Sequence, residues 1–188
     1  MLKSIVWSTP PRAMFFGAIE EFRARMAPRP RLGSVYMGFC AGLLNLSICV
    51  PLAVLAQSLF APEQLGGSSA TSLEGASPAK LFWSAVFLAP LIETVLGQWL
   101  PIEVLRRRGV RAVYCLPASA ALFSALHVLG GAGILQGTTT FIGGLAFAGS
   151  YLLARNMGPG PAWLAAAAAH ACSNGLLLFV IDPLLQLP

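Results

Sequence analysis

Charge is scarce in this chain. Lys, Arg, Asp and Glu make up 10% of its 188 residues, against about 25% in an ordinary soluble domain. With 56% hydrophobic residues, there are too few polar groups to cover a water-soluble surface. That excludes a solvated globule and implies an integral membrane protein, nearly all helix, because a bilayer leaves no other open-chain way to satisfy the backbone. Other absences narrow the chemistry. None of the four cysteines (Cys40, Cys49, Cys115, Cys172) forms a C-x-x-C pair, so neither a thiolate zinc site nor a disulfide framework is indicated. There is no H-E-x-x-H, the usual zinc-protease helix. The basic residues are not interleaved with exposed aromatics, so no nucleic-acid partner is expected. The N-terminus lacks a long apolar core followed by a small-residue cleavage site, so no cleavable signal peptide is expected.

What remains is a run of apolar segments. Residues 1–33 read as a basic N-terminal segment. Met14, Phe15, Ile19, Phe22 and Met26 recur there at helical spacing, as in an amphipathic helix lying in the membrane interface. Residues 34–188 read as a bundle of about five spans, near 34–60, 80–100, 111–129, 134–154 and 162–181. A Gly/Ser/Pro-rich loop covers 61–79, and Gly-rich turns follow Leu129 and Arg155. Gly143, Gly144 and Ala148 in the fourth span, and the alanine run in the fifth, suit close helix approach. Eleven of the twelve basic residues fall in segments 1–33, 101–112 and 155–161; only Lys80 does not. That bias predicts the N-terminus in the cytoplasm and the C-terminus outside.

In this background the few ionisable groups inside spans stand out. Glu93 sits in the second span, His127 in the third and His170 in the fifth. A carboxylate at mid-membrane costs roughly 2.5–3.5 kcal/mol on insertion scales, so it needs a partner or a job. Glu93 lies sixteen residues before the Gly109 turn and His127 eighteen after it. At about 1.5 Å per residue the two reach similar depth. His170 and Asn174, and likewise Phe123 and His127, are four apart and share a helix face. Glu93, His127, His170 and Asn174 are therefore expected to meet in one cavity.

Such a set suits peptide hydrolysis. A carboxylate beside an imidazole can hold and deprotonate water. An imidazole and a carboxamide can donate to the oxyanion of a tetrahedral intermediate, more strongly in a low-dielectric surround. Glu93, His127 and His170 would also serve as a His₂Glu zinc site. From spacing alone, a small proton-coupled transporter is an equal alternative, since such proteins also bury Glu and His.

The order of motifs adds to this. Glu93-Thr94-Val95-Leu96-Gly97-Gln98, then Phe123-Ser124-Ala125-Leu126-His127, then His170-Ala171-Cys172-Ser173-Asn174 resemble the three motifs of the CPBP intramembrane proteases. That group contains the type II CaaX prenyl endopeptidases and the bacteriocin-processing or immunity proteins. The resemblance covers about residues 80–180. It implies Glu93 as the base on water with His127 beside it, His170 and Asn174 at the oxyanion, and Thr94, Gln98 and Phe123 in support. It also implies a membrane-associated peptide or protein as substrate; the family is described both as metalloproteases and as glutamate-type proteases without an essential metal, and the second is favoured here. Two positions depart from the family pattern E-E-x-x-x-R: Thr94 replaces the second glutamate and Gln98 the arginine. A neutral pair thus stands where an ion pair is usual, and an inactive scaffold or immunity protein of the same fold is the alternative it raises. The Ala/Arg/Gly/Pro-rich usage points to a GC-rich bacterial genome and an inner-membrane location. Prenylated substrates are not expected there, which favours bacteriocin maturation, immunity, or processing of a membrane signalling protein.

Overall fold

The computed structural model describes residues 28–68 and 73–185, together with Gly17 and Glu21. The expected N-terminal amphipathic helix lies, apart from those two residues, outside this range. The described residues form an all-helical bundle: α1 (Pro30–Leu59), the short α2 (Pro62–Leu65), α3 (Pro78–Arg107), α4 (Ala112–Leu129), α5 (Ile134–Ala154) and α6 (Pro159–Leu185). Helix starts follow simple chemistry. Pro30, Pro62, Pro78 and Pro159 open their helices, where a missing N–H is no loss. Ser77 caps α3, its hydroxyl accepting from the Lys80 N–H at 3.3 Å. The α3–α4 turn needs Gly109 at φ +82°, and the turn into α6 needs Gly158 at φ +113°.

Four of the five long helices, α1, α3, α4 and α6, are long and apolar enough to cross a membrane. The chain is an integral membrane protein. Helix α5, expected as a fifth span of the same kind, is not among those four. Gln136 and three successive threonines occupy its first turns, and the threonine hydroxyls turn back onto carbonyls of their own helix. The polarity is tolerated because α5 is interior: it packs on α1, α4 and α6, and eight of its residues are buried.

Small residues set the packing. Gly144 lies against the Ala120 backbone of α4, and Gly38 and Gly42 of α1 lie against Ala165, Ala169 and Cys172 of α6. A methyl group on Gly38 would come within 2.3 Å of the Ala165 carbonyl. The alanine run is thus the surface on which α1 rests, and Ala165, Ala166 and Ala169 are fully buried. The α1–α6 seam is fixed by a polar strut: Asn45 Nδ2 donates to Ser173 Oγ at 3.1 Å.

Helix α3 is irregular around the residue that matters most. Its short regular segment Ala89–Thr94 carries Glu93 and is flanked by widened, π-helical stretches at Phe82–Leu88 and Val95–Trp99. Widened turns of this kind are rare and concentrate near functional sites. Here they accompany two prolines, Pro90 and Pro101, which have no N–H to return to the preceding turn. Neighbouring helices donate to carbonyls within these stretches. Asn174 Nδ2 of α6 donates to the Ala85 carbonyl at 2.8 Å, and Ser119 Oγ of α4 donates to the Gly97 carbonyl at 2.6 Å.

Candidate active site

Three helices bring Glu93, His127 and His170 together. Glu93 Oε2 lies 3.6 Å from His127 Nε2 and 3.8 Å from His170 Nε2. Those separations are too long for direct hydrogen bonds. They suit a small molecule shared among the three groups. Each imidazole is held by its surroundings. His127 Nδ1 is 2.9 Å from the Phe123 carbonyl. A carbonyl only accepts, so Nδ1 carries a proton and Nε2, in the neutral ring, offers its lone pair towards Glu93. His170 is 4% exposed and is gripped by two rings. Phe147 stacks on it at 4.8 Å with the planes 17° apart, and Phe123 meets it edge-on at 5.4 Å. Phe123 also packs on His127 at 4.6 Å. Its own place depends on Gly97, where any side chain would collide with the ring. Phe123 is therefore the wedge that spaces the two imidazoles.

Asn174 lies one turn from His170 on the same face of α6. One of its amide protons is committed to the Ala85 carbonyl, leaving the other for a ligand. Thr94 and Gln98 are both fully buried, and neither Thr94 Oγ1 nor either Gln98 amide atom has a partner within the protein.

Glu93, His127, His170 and Asn174 line one cavity of about 640 Å³. Its other walls come from Asn45–Ala53 of α1, the start of α3, the start of α5 and the end of α6. It therefore opens at the end of the bundle opposite the Arg106–Arg111 turn. Residues of the 61–79 connection reach it too: Ser68, Leu73 and Glu74 stand in its wall, and the Gly133 N–H donates to the Gly67 carbonyl at 2.8 Å. The donor types of Glu93, His127 and His170 suit zinc. Their arrangement does not: among the described residues, no group of three His, Cys, Asp or Glu side chains is placed to hold a metal ion.

The family model described as type II CAAX prenyl endopeptidase Rce1-like matches residues 75–176. The chain belongs to this Rce1-like family. The match spans all four converging residues and covers more than half the chain. No curated protein and no solved structure matches it. Membership places the chain among intramembrane peptidases of the CAAX-protease type, in a bilayer, facing membrane-associated substrates.

Sequence reasoning overlooked two features of this Rce1-like chain. Glu103 reads as part of a solvated helix end beside Arg106-Arg107-Arg108, yet it is 8% exposed. It accepts from Tyr151 Oη at 2.8 Å and pairs bidentately with Arg155, through Nε and through Nη2 at 2.9 Å. This clasp ties the end of α3 to the end of α5. The Arg155 guanidinium, just beyond α5, is held above its ordinary value by the Glu103 carboxylate. The signal was the i,i+4 spacing of Tyr151 and Arg155, which puts both on one face. The second feature is Phe147, one side of the cage around His170. Nothing in its local sequence separates it from other core aromatics.

Proposed function

We propose that the chain is an active intramembrane endopeptidase in which Glu93 is the general base on water. The observation that carries this reading is the approach of His127 and His170 to one Glu93 oxygen, from separate helices, on the wall of a single cavity. A water shared by Glu93 and His127 loses a proton to the carboxylate as it attacks the scissile carbonyl. His170 Nε2–H and the uncommitted N–H of Asn174 stabilise the resulting oxyanion. Glu93 then returns the proton to the leaving amine. Thr94 and Gln98 support the base from behind, and Phe123 sets the spacing of the imidazoles. The neutral Thr94/Gln98 pair leaves the base and both imidazoles in place, which favours activity over an inert scaffold.

The basic residues set the orientation we infer: N-terminus and arginine-rich turns in the cytoplasm of a bacterial inner membrane, C-terminus outside. The cavity then opens outward. A peptide presented at that face, such as a bacteriocin precursor or a membrane signalling protein, is a better-matched substrate than a prenylated cytoplasmic one. The test is cleavage of a peptide library by purified protein, comparing wild type with Glu93→Ala and His127→Ala. Turnover confined to wild type supports the reading; equal turnover in all three overturns it.

A further inference from the structure

Buried polar atoms without a protein partner are rare and costly in folded proteins. Among the described residues, several of them lie on the two helices that carry Glu93 and His170. Thr94 Oγ1, both amide atoms of Gln98, Trp163 Nε1 and His170 Nδ1 are all buried and without partners. Their placement is not random. Thr94 and Gln98 are four apart on α3, and Trp163 and His170 are seven apart on α6, so each pair shares a helix face. The two helices run antiparallel, with Ala85 joined to Asn174 and Glu93 next to His170. That register sets Gln98 level with the turn of α6 that carries Trp163. By that register the residues that carry the unpartnered atoms are strung along α3 and α6 from His170 towards the end of the bundle where Glu103, Tyr151 and Arg155 meet. This is the end away from the substrate cavity.

We propose that Thr94, Gln98 and Trp163 hold a file of internal water that supplies the hydrolytic site from the arginine-bearing face. The inference rests on the reading of Glu93 as the base. Each peptide bond cleaved consumes one water and, with carboxylate and ammonium products, no net proton. Water is therefore what the site must import. A bound peptide fills the cavity and covers the open side of Glu93, so a replacement molecule needs another way in. Buried waters sit where two to four polar groups can hold them, and the unpartnered amide, hydroxyl and indole are such groups. Gln98 and Trp163 are positioning residues here: they act on the water, not on the peptide.

The test uses the purified full-length protein in nanodiscs. Gln98→Met removes the polar atoms at similar volume, Trp163→Phe removes the indole N–H with a smaller ring, and Gln98→Asn keeps a shorter amide. Melting temperature, kcat and KM are measured for each, with Glu93→Gln alongside. The file predicts that Gln98→Met melts close to wild type, because the amide bonds only to exchangeable water and no protein group loses its partner. It predicts that both apolar variants lose about tenfold in kcat at unchanged KM, and that Gln98→Asn recovers most of the rate. Wild-type kcat in Gln98→Met, or a melting temperature that falls in step with kcat, overturns it. If Glu93→Gln is inactive while Gln98→Met is not, the file alone fails. If Glu93→Gln keeps full turnover, the reading of the site fails, and the file with it.

Discussion

Asn174 donates to the carbonyl of Ala85, and that carbonyl is orphaned by Pro90. In the widened turn the Ala89 N–H bonds back to Ser84, so Ala85 would next be served by residue 90, which has no N–H. The 2.8 Å bond from α6 replaces it, and it locks the helix of the base to the helix of His170. Removing Asn174 leaves the carbonyl unsatisfied, at a cost of about 1–3 kcal/mol. Pro90→Ala restores an internal donor. Asn174→Ala should therefore destabilise the wild type by about that amount and the Pro90→Ala background by less than half of it. Denaturation of the four proteins in this cycle measures the difference.

The clasp at the opposite end of the bundle makes a second prediction. Arg155→Met strands the buried Glu103 carboxylate, which Tyr151 alone cannot neutralise. Breaking a buried pair costs about 3–5 kcal/mol; part-exposure of Arg155 discounts this to about 2–3. Tyr151→Phe should cost about 1 kcal/mol. Glu103→Leu with Arg155→Met should be milder than Arg155→Met alone, because no charge is left unpaired. Thermal unfolding in detergent orders the three.

The small-residue seam gives a third. Gly38→Val would drive a side chain into the Ala165 backbone, where nothing can yield as a flexible side chain does. Overpacking of this kind costs about 1–3 kcal/mol. The α1–α6 contact should part first, seen as faster labelling of Cys49 and Cys172 by a membrane-permeant maleimide. Gly67→Ala, in open space, should leave labelling unchanged.

Metal dependence is a fourth. With Glu93 acting on water directly, treatment with 1,10-phenanthroline followed by desalting should leave cleavage within about twofold, against the loss of several orders of magnitude expected when a catalytic zinc is stripped. A rate restored only by added zinc would contradict the mechanism.

Much of this was legible in the sequence because the informative residues are scarce. With two histidines in the chain, and one carboxylate deep in an apolar run, their convergence was the economical reading, and the structure places the three side chains together. The spans were equally legible, because apolar length against sparse charge is a strong signal. Three things were not. The widened turns of α3 depend on which carbonyls Pro90 and Pro101 orphan and on who answers them, a relation across eighty-nine residues for Asn174 and Ala85. Glu103 looked solvated because its neighbours in sequence are arginines, while its partners in space are Tyr151 and Arg155. Helix α5 was legible as one more helix of span length, but not its interior place, packed on α1, α4 and α6 with its threonine hydroxyls turned onto its own carbonyls.

The most direct test of the account is the turnover of Glu93→Gln on a substrate that the wild type cleaves. Glutamine keeps the size of the side chain and one acceptor oxygen but cannot take a proton. The account predicts a folded protein with unchanged melting temperature and KM and a kcat lower by roughly 10²–10⁴-fold. A Glu93→Gln protein that cleaves at the wild-type rate would contradict it.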